Sequence, residues 1–312
     1  MEYRNFGQTD VLVSRIGLGS HMFPLENPRW DGYYGKGIRE DVEYREKQRV
    51  FTRALELGVT LFDCDFEFEK KLVAHIVADL GIRDEVVLAS WVDYRPEQCE
   101  VVDWVRFRRA FDDLLALLQT DRLDILNWRC GEGFAVPAFT TAFAHEIAAL
   151  KAAGKLRAVA FYTGDGSDEL ICAAAESGAC DAVFRGFGLL NPQPRERVLP
   201  LVAVRQLGFL GFVPFQKGWL FECAREAGLE DAACLGLKWV LDHEPVSATL
   251  VGVSTLAELE ANCAAADGIP LSAEERGRLM SLTETEAYGR YIDLMSEQNP
   301  HALRDWRQAA AV

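Results

Sequence analysis

The chain has 312 residues, of which 49% are hydrophobic and 26% charged, and its formal net charge is −15 at pH 7. This is the composition of a globular protein with a large core, and the negative charge disfavours a nucleic-acid partner because it would repel a phosphate backbone. The apolar runs are too short to span a bilayer, so we expect a soluble protein without a membrane partner.

The eight cysteines form no C-x-x-C pair and are scattered through segments with helical or strand patterns. The N-terminal sequence MEYRNFGQTD is polar and lacks the basic and apolar regions of a secretory signal. We therefore expect a cytoplasmic protein with reduced cysteines that acts on a small molecule. The sequence does not indicate an oligomeric state.

Short runs of branched apolar residues alternate with longer segments of helical spacing, which predicts parallel strands joined by helices. Strands are predicted near Arg15 to Leu18, Thr60 to Cys64, Val86 to Ser90, Leu123 to Asn127, Ala158 to Tyr162, Ala182 to Phe184, Gly208 to Val213 and Thr249 to Val251. Helices are predicted at Arg45 to Leu57, before Gly58, at Trp104 to Leu118, at His145 to Ala152 and beyond Ser281. No linker interrupts this pattern, so residues 1–312 are expected to form one α/β domain.

A long segment from Phe23 to Val42 follows the first predicted barrel strand and contains the aromatic-rich sequence FPLENPRWDGYYGKG. Active sites of α/β barrels lie at the carboxyl ends of the strands, so this segment is a candidate lid. Within it, Tyr34, with Tyr33 and Lys36, could bring a phenol and an amine to the barrel mouth. The alternatives are a surface excursion with buried aromatic residues and an ordinary surface turn.

Several local sequences occur in an order and spacing that match a known family over nearly the whole chain. They are VSRIGLGS, RALELGVTLFD, DEVVLAS, LLALLQTDRLDIL, ALKAAGKLRAVAFYTG and LVGVSTLAELEAN. Together they resemble the aldo-keto reductase superfamily. The resemblance implies a (β/α)8 TIM barrel with an N-terminal β-hairpin and a long loop after the first barrel strand. It also implies a site for a nicotinamide cofactor.

The resemblance further implies four catalytic positions, which are an aspartate, a tyrosine, a lysine and a histidine. Asp63, in LFDCD, matches the aspartate. The tyrosine position falls on Phe68 or is deleted, Trp91 stands at the lysine position, and Arg129 stands at the histidine position. Only one of the four roles is therefore retained.

The family's cofactor contacts are also altered. The corresponding positions are Tyr162, Thr163, Phe184, Phe212 or Val213, Ser254, Glu258 and Asn262. Glu258 and Asn262 match the family pattern, whereas Ser254 replaces the arginine that reads the 2′-phosphate of NADPH. Loss of this cation disfavours NADPH and leaves NADH or no cofactor.

If the strand ends converge as in other barrels, the mouth carries a polar set of side chains. Its members are His21, Asp63, Asp65, Trp91, Arg129, Tyr162, Arg185 and Lys217. We assign catalytic roles to Asp63, His21, Arg129 and Tyr162. Substrate-binding roles are assigned to Trp91, Arg185, Lys217 and Tyr34.

Two of these assignments have structural alternatives. The Arg129 guanidinium could bind a carboxylate or phosphate through two parallel hydrogen bonds, or it could form an ion pair with Asp63 that fills the vacated pocket. His21 could act as a general base near neutral pH, or it could be a hydrogen-bonded structural residue.

Four carboxylates alternate in the sequence FDCDFEFE, namely Asp63, Asp65, Glu67 and Glu69. On an extended segment they would share one face and could bind a hard cation. Because Lys70 and Lys71 follow directly, we favour an edge paired with lysines and predict no metal. Cys64 and Cys130 lie beside site positions and are interpreted as small buried residues.

Three hypotheses follow for the function. The first is a divergent lyase or isomerase that uses acid/base chemistry on a small polar or anionic metabolite. The second is an NAD(P)H-dependent oxidoreductase with relocated catalytic groups. The third is a non-catalytic descendant that binds a ligand or a partner.

Overall fold

The computed structural model describes residues 1–19, 42–94, 103–130, 137–163, 167–267 and 270–298, without the side chains of residues 42, 43 and 298. A short antiparallel hairpin comes first and consists of β1 (Tyr3–Asn5) and β2 (Leu12–Ser14). Eight parallel strands follow, which are β3 (Ile16–Leu18), β4 (Leu61–Asp63), β5 (Val87–Ser90), β6 (Leu123–Arg129), β7 (Leu156–Tyr162), β8 (Ala182–Gly186), β9 (Gly208–Phe212) and β10 (Ala248–Val251).

These eight strands close into a barrel. They pair in chain order from β3 to β10, and β10 then pairs with β3, with Thr249 opposite Ile16 and Val251 opposite Leu18. The predicted (β/α)8 barrel and its N-terminal hairpin are thus confirmed.

Helices connect the strands and cover the outside of the barrel. They are α1 (Val42–Glu56), α2 (Glu67–Leu80), α3 (Trp104–Leu117), α4 (Pro137–Ala152), α5 (Asp168–Glu176), α6 (Val198–Arg205), α7 (Trp219–Ala227), α8 (Ala232–Leu241), α9 (Leu256–Asp267), α10 (Ala273–Met280) and α11 (Glu286–Gln298). Within the described ranges, none has the length and apolarity needed to cross a membrane. The helix predicted at His145 begins earlier, at Pro137, a residue suited to a first helical position because it lacks the N–H that would be unpaired there.

One strand is longer than its sequence pattern predicts. The apolar run indicated an end at Asn127, but Trp128 pairs with Phe161 and Arg129 with Tyr162, so β6 continues for two more residues. Pairing with β7 thus extends the strand beyond the end of the apolar run. Because alternate residues of a strand face opposite sides, this extension places Arg129 on the same inner face as Ile125 and Asn127.

The amino end of the barrel is closed by the hairpin. Phe6, Val11 and Val13 are fully buried and pack with the inward-facing apolar side chains of the barrel. Gly7 allows this close approach, since a Cβ atom there would lie 2.6 Å from the Asp181 carbonyl oxygen and the φ angle is +64°. The hairpin therefore covers the amino end of the barrel interior.

A buried carboxylate near the amino end links three strands. Asp124 of β6 is fully buried, and its Oδ2 accepts a hydrogen bond of 2.9 Å from the Leu88 amide of β5. The same carboxylate forms ion pairs of 2.9 Å with Arg83 and 3.0 Å with Arg157 of β7. A buried charge is stable only when it is paired in this way.

We expect Asp124→Ala to lower the free energy of unfolding by about 3 kcal/mol, because it removes the buried carboxylate that pairs with two guanidinium groups and accepts a hydrogen bond from one buried amide. Asp112→Ala is the matched control, since Asp112 is 57% exposed and pairs with Lys155 at the surface, where such pairs contribute about 1 kcal/mol or less. Urea denaturation monitored by circular dichroism measures both losses. Equal losses in the two variants would show that the Asp124 network does not stabilise the barrel.

Candidate active site at the carboxyl end of the barrel

The site is built from residues that continue the inward-facing rows of neighbouring strands. Leu61, Ala89, Ile125 and Ala160 belong to the inner apolar cluster. Two residues beyond each of them, towards the carboxyl end, stand the four inner side chains Asp63, Trp91, Asn127 and Tyr162. Arg129 stands two residues beyond Asn127. The period of two in a strand therefore brings chemically active groups together above an apolar floor.

Asp63 is the centre of this group. Its side chain is 4% exposed, and its Oδ1 accepts a hydrogen bond of 2.9 Å from Asn127 Nδ2. Burial raises the pKa of Asp63 well above its usual range, and the nearby carboxylates of Asp65 and Glu69 raise it further. The Asn127 hydrogen bond and the charge of Lys70 act in the opposite direction.

The carboxylate row predicted on an extended segment is not present, because α2 begins at Glu67 and turns the side chains in different directions. Glu67 pairs with Lys71 at the surface, as expected for a lysine-paired edge. Glu69 instead turns back to accept hydrogen bonds from the amides of Asp65 and Phe66, at 3.1 and 2.8 Å, which caps the helix. Among the described residues, no three His, Cys, Asp or Glu side chains are placed to hold a metal ion.

Lys70 is a buried cation that sequence reasoning did not assign to the site. Its side chain is fully buried, and its Nζ lies 3.1 Å from Oδ2 of Asp93, which follows β5. Its charge also lowers the pKa of Asp63. Lys70 thus places a buried positive charge near the Asp63 carboxyl.

Arg129 does not pair with Asp63, so the interpretation of a filled pocket with an Arg129–Asp63 ion pair is wrong. The Oδ1 atom of Asp63 instead accepts a hydrogen bond from Asn127, which lies two residues before Arg129 on the same strand. The Arg129 side chain is exposed, and it makes no hydrogen bond or ion pair with any residue in the part of the chain that the structure describes.

Aromatic rings line the site beside Arg129. Trp91 and Tyr162 stack with ring centroids 6.2 Å apart and an interplanar angle of 23°. Phe66 packs edge-on against Trp91, and Phe184 packs edge-on against Tyr162. Phe184, expected at a nicotinamide contact, is 7% exposed and belongs to the inner cluster of the barrel.

Arg185 was expected at the mouth as a substrate-binding residue, but the structure places it elsewhere. It follows Phe184 on β8 and so faces the opposite side of the sheet, where it is 6% exposed. Its Nε forms an ion pair of 2.8 Å with Asp168, the first residue of α5. This arginine holds a helix against the barrel.

Lys217 is exposed in a turn after β9, within a stretch of unusual backbone. Val213, Gln216 and Lys217 all have positive φ angles, which are rare for residues with a side chain. The Nε2 of Gln216 donates to the Val213 carbonyl at 2.8 Å, and its Oε1 accepts from the Tyr291 hydroxyl of α11 at 3.1 Å. The C-terminal helix therefore helps to hold this turn.

The positions matched to the adenosine end lie at the start of α9. Ser254 and Glu258 are exposed, and the Ser254 amide donates to Glu258 Oε2 at 2.8 Å. Asn262 is 4% exposed on the same helix, and Thr163, after β7, is 7% exposed.

Cys64 and Cys130 are buried, as predicted, and their thiols approach the carbonyl oxygens of Ala89 and Tyr162. Burial raises the pKa of the Cys64 thiol, which makes it less reactive. His21, Tyr33, Tyr34, Lys36 and the segment from Phe23 to residue 41 lie outside the described residues.

Three residues that interact with the predicted site residues were not identified from the sequence alone, namely Lys70, Asn127 and Asp168. Asn127 could have been found, because a residue two positions before Arg129 on one strand must share its face. Lys70 and Asp168 gave no such signal, since each reaches its partner from a helix.

Sequence and structure comparisons place this geometry among known proteins. A sequence model of the Aldo/keto reductase family matches residues 15–227 and 220–284. Aldo-keto reductase YhdN of Bacillus subtilis (strain 168) is 28% identical over 166 residues, which are 51% of this chain and 46% of that protein. The match thus spans less than half the length of the relative.

Two solved structures of aldo-keto reductase AKR11C1 from Bacillus halodurans share the fold. The holo form aligns with a TM-score of 0.69 and 21% identity over 90% of this chain and 96% of that one. The apo form aligns over the same shares with a TM-score of 0.67 and 19% identity. The family match over most of the sequence, together with this barrel, shows that the chain belongs to the aldo/keto reductase family.

Proposed function

We propose that the chain is an NADH-dependent oxidoreductase that reduces the carbonyl group of a small anionic compound with relocated catalytic groups. The observation that carries this proposal is the Asp63 carboxyl, which is buried against Asn127 and has a raised pKa. It stands at the end of the barrel where this architecture performs chemistry. Family membership adds support, because the matched relatives are aldo-keto reductases.

Asp63 takes the role of proton donor that the family gives to a tyrosine. A carboxyl group with a raised pKa keeps its proton closer to neutral pH and can deliver it to a carbonyl oxygen. The carboxylate left behind accepts a hydrogen bond from Asn127 Nδ2 and is stabilised by the buried charge of Lys70. When bound, NADH supplies the hydride that the carbonyl carbon receives.

Asn127 can support both charge states of Asp63. Its Nδ2 donates to the carboxylate, while its Oδ1 is buried without a hydrogen-bond partner among the described residues. Rotation of the amide would present this oxygen to the protonated carboxyl. A buried polar atom without a partner is unusual and is found where a ligand or a proton transfer completes the site.

Arg129 orients the substrate. The guanidinium binds a carboxylate or phosphate group through parallel hydrogen bonds and fixes the distance from this group to the carbonyl. The substrate is therefore a small anion. Its binding also offsets the repulsion expected from a protein of net charge −15.

The residues at the adenosine end fit NADH better than NADPH. Glu258 occupies the first turn of α9, and Ser254 supplies no cation for a 2′-phosphate. Asn262 retains the family position on the same helix.

Dehydration or isomerisation of an anionic metabolite, our first hypothesis from sequence, uses the same Asp63 and Arg129 without a nucleotide. The protonated carboxyl and the available guanidinium suit that chemistry as well. It is the second candidate, and it replaces the first if neither nicotinamide nucleotide binds.

Cofactor binding tests the proposal directly. We expect NADH to bind more tightly than NADPH in calorimetric titrations of the full chain. The double variant Ser254→Arg, Glu258→Gln should reverse the order of affinities. The first substitution adds the cation that a 2′-phosphate needs, and the second removes a carboxylate that would repel it. Failure of both nucleotides to bind at millimolar concentration would contradict the proposal.

Turnover tests the residue roles. With NADH and a panel of anionic aldehydes, Asp63→Asn should lower kcat by about 10²- to 10⁴-fold, the usual contribution of a general acid. Arg129→Met should instead raise KM by about 10- to 100-fold. Asp113→Asn and Arg205→Met, which alter exposed residues of α3 and α6, serve as charge-matched controls. Equal rates in Asp63→Asn and wild type would contradict the role of Asp63 as the acid.

The raised pKa of Asp63 predicts a dependence of stability on pH. Between the unfolded pKa of about 3.9 and the higher folded value, the native state binds more protons, so stability falls as pH rises. Below this pH range Asp63 is protonated in both the folded and the unfolded state, so its titration no longer changes the stability. Asp63→Asn removes the ionisation, so its stability relative to wild type should increase above about pH 4, by up to about 1.4 kcal/mol per pH unit.

Urea denaturation across this pH range measures the difference, with Asp113→Asn as the control for an exposed carboxylate. A stability difference between Asp63→Asn and wild type that stays constant with pH would contradict the raised pKa.

A further inference from the structure

We propose that a cleft at the amino end of the barrel binds a small zwitterion, namely an α-amino acid with an apolar side chain. This inference goes beyond the proposed function, because the cleft lies at the opposite end of the barrel from Asp63. It is carried by a guanidinium and a carboxylate that line the same cleft beside an apolar wall.

Three segments form this amino-end cleft. They are strand β1 of the hairpin, the end of α6, and the connection from α8 to β10. The side chains on which the argument rests are Arg4, Asn5, Val202, Gln206, Leu207 and Glu244. The cleft has a volume of about 380 Å³, which lies at the lower end of the range for small-molecule sites, about 300 to 1,000 Å³. It therefore has room for a small ligand.

Hydrogen bonds between the segments hold the cleft in shape. The Nη1 atom of Arg4 donates to the Glu244 carbonyl oxygen at 2.8 Å, which joins the hairpin to the connection before β10. The Nε2 atom of Gln8 donates to Oε1 of Gln206 at 2.9 Å, which joins the hairpin to the end of α6. Because the walls are bonded to one another, the cleft exists before a ligand arrives and less ordering is needed on binding.

Arg4 provides the cationic group of the cleft. Its side chain is 33% exposed, and its Nε lies 3.4 Å from Oε1 of Glu2. This contact and the bond to the Glu244 carbonyl hold the guanidinium in place and use two of its five N–H groups. The others can donate to the carboxylate of a ligand through charge-assisted hydrogen bonds.

A second guanidinium lies next to the lining. Arg15 is fully buried, and it donates to the carbonyl oxygens of Leu241 and Val246, of which Val246 lines the cleft. Burial and, to a smaller extent, the charge of Arg4 lower the pKa of Arg15 to about 10. The positive charge is thus destabilised where it stands, and a carboxylate bound in the cleft would offset part of that cost.

Glu244 provides the opposite charge. It is exposed and lines the same cleft, so the two guanidinium groups of Arg4 and Arg15 are balanced by the carboxylates of Glu2 and Glu244. A simple anion is attracted by Arg4 but repelled by Glu244, and a simple amine meets the reverse. A molecule with separated charges and no net charge is complementary to both groups.

The rest of the lining selects the third part of the ligand. Its apolar members are Val202, Ala203, Leu207, Pro245 and Val246. Contact of a leucine-sized side chain with such a wall adds about tenfold or more to affinity. An α-amino acid joins an ammonium, a carboxylate and a side chain at one carbon, so a single small molecule can make all three contacts.

The position of the cleft determines what binding does. Reactions in barrels of this architecture take place at the carboxyl end, so a ligand at the amino end is an effector rather than a substrate. It bridges the hairpin, α6 and the connection before β10, and it therefore stabilises the native state in proportion to its occupancy.

Calorimetric titration of the full chain at pH 7 with four matched probes tests this inference. Leucine carries both charges and the side chain, 4-methylpentanoate lacks the ammonium, 3-methylbutylamine lacks the carboxylate, and glycine lacks the side chain. We expect leucine to bind at least about tenfold more tightly than each of the other three. Equal affinity for leucine and 4-methylpentanoate, or no leucine binding up to about 10 mM, would overturn the inference.

Variants assign each charge to its residue. Arg4→Met should lower leucine affinity by about tenfold and leave that of 3-methylbutylamine unchanged, because only the carboxylate contact is lost. Glu244→Gln should lower leucine affinity by a similar factor without weakening 4-methylpentanoate. Arg109→Met and Glu176→Gln, which alter exposed residues of α3 and α5, are the charge-matched controls. The same loss of affinity in the controls would contradict a local site.

A steric variant tests the location independently of charge. Ala203→Trp places an indole in the cleft and should abolish leucine binding, whereas Ala148→Trp, at an exposed position of α4, should not. Arg129→Met should also leave leucine affinity unchanged. Loss of leucine binding in Arg129→Met would place leucine at the candidate active site and refute the amino-end cleft. Melting curves from circular dichroism, which leucine should shift upwards in wild type alone and in the controls, confirm that each variant is folded.

Discussion

Closure of the parallel sheet is the constraint on which the rest of this structure depends. β10 pairs with β3 as well as with β9, so each barrel strand has a hydrogen-bonded neighbour on both sides. Once the sheet is closed, the side chains must alternate strictly between the interior and the helical layer. That alternation separates Phe184, which packs in the interior, from Arg185, which binds Asp168 outside it. It also brings Asp63, Asn127 and Arg129 to one face.

Two buried aspartates show how position in the barrel determines the role of the same side chain. Asp124, at the amino end, is paired with arginines and a backbone amide, and it ties neighbouring strands together. Asp63, at the carboxyl end, has an amide as its direct partner and other carboxylates nearby, so its pKa is raised. The first environment pairs the carboxylate with cations, and the second raises the pKa of its carboxyl group. The hairpin that plugs the amino end leaves the Asp63 end as the route to the interior.

The side chains around Asp63 come from several elements and differ in character. Trp91 and Tyr162 supply aromatic surface, Arg129 supplies an exposed cation, and Lys70 supplies a buried positive charge from α2. The carboxyl end of the barrel therefore combines a buried carboxyl group, cationic side chains and aromatic rings.

The strands and the order of the barrel were predictable from the sequence, because runs such as Leu123 to Asn127 and the helical spacing before Gly58 are local signals of burial and of chain direction. The family resemblance identified Asp63, Trp91 and Arg129 as the positions to inspect. Each of these signals lies within a short stretch of the sequence. It can therefore be recognised without knowing which distant segments meet in the fold.

Only the tertiary structure decided which side chains meet. The extension of β6 to Arg129 depends on pairing with β7, and the partner of Asp63 proved to be Asn127 rather than Arg129. The carboxylate row was broken by the start of α2, and Lys70 reached its position from that helix. Hydrogen bonds, ion pairs and pKa values depend on distances between segments remote in the chain, and those distances are set when the barrel closes.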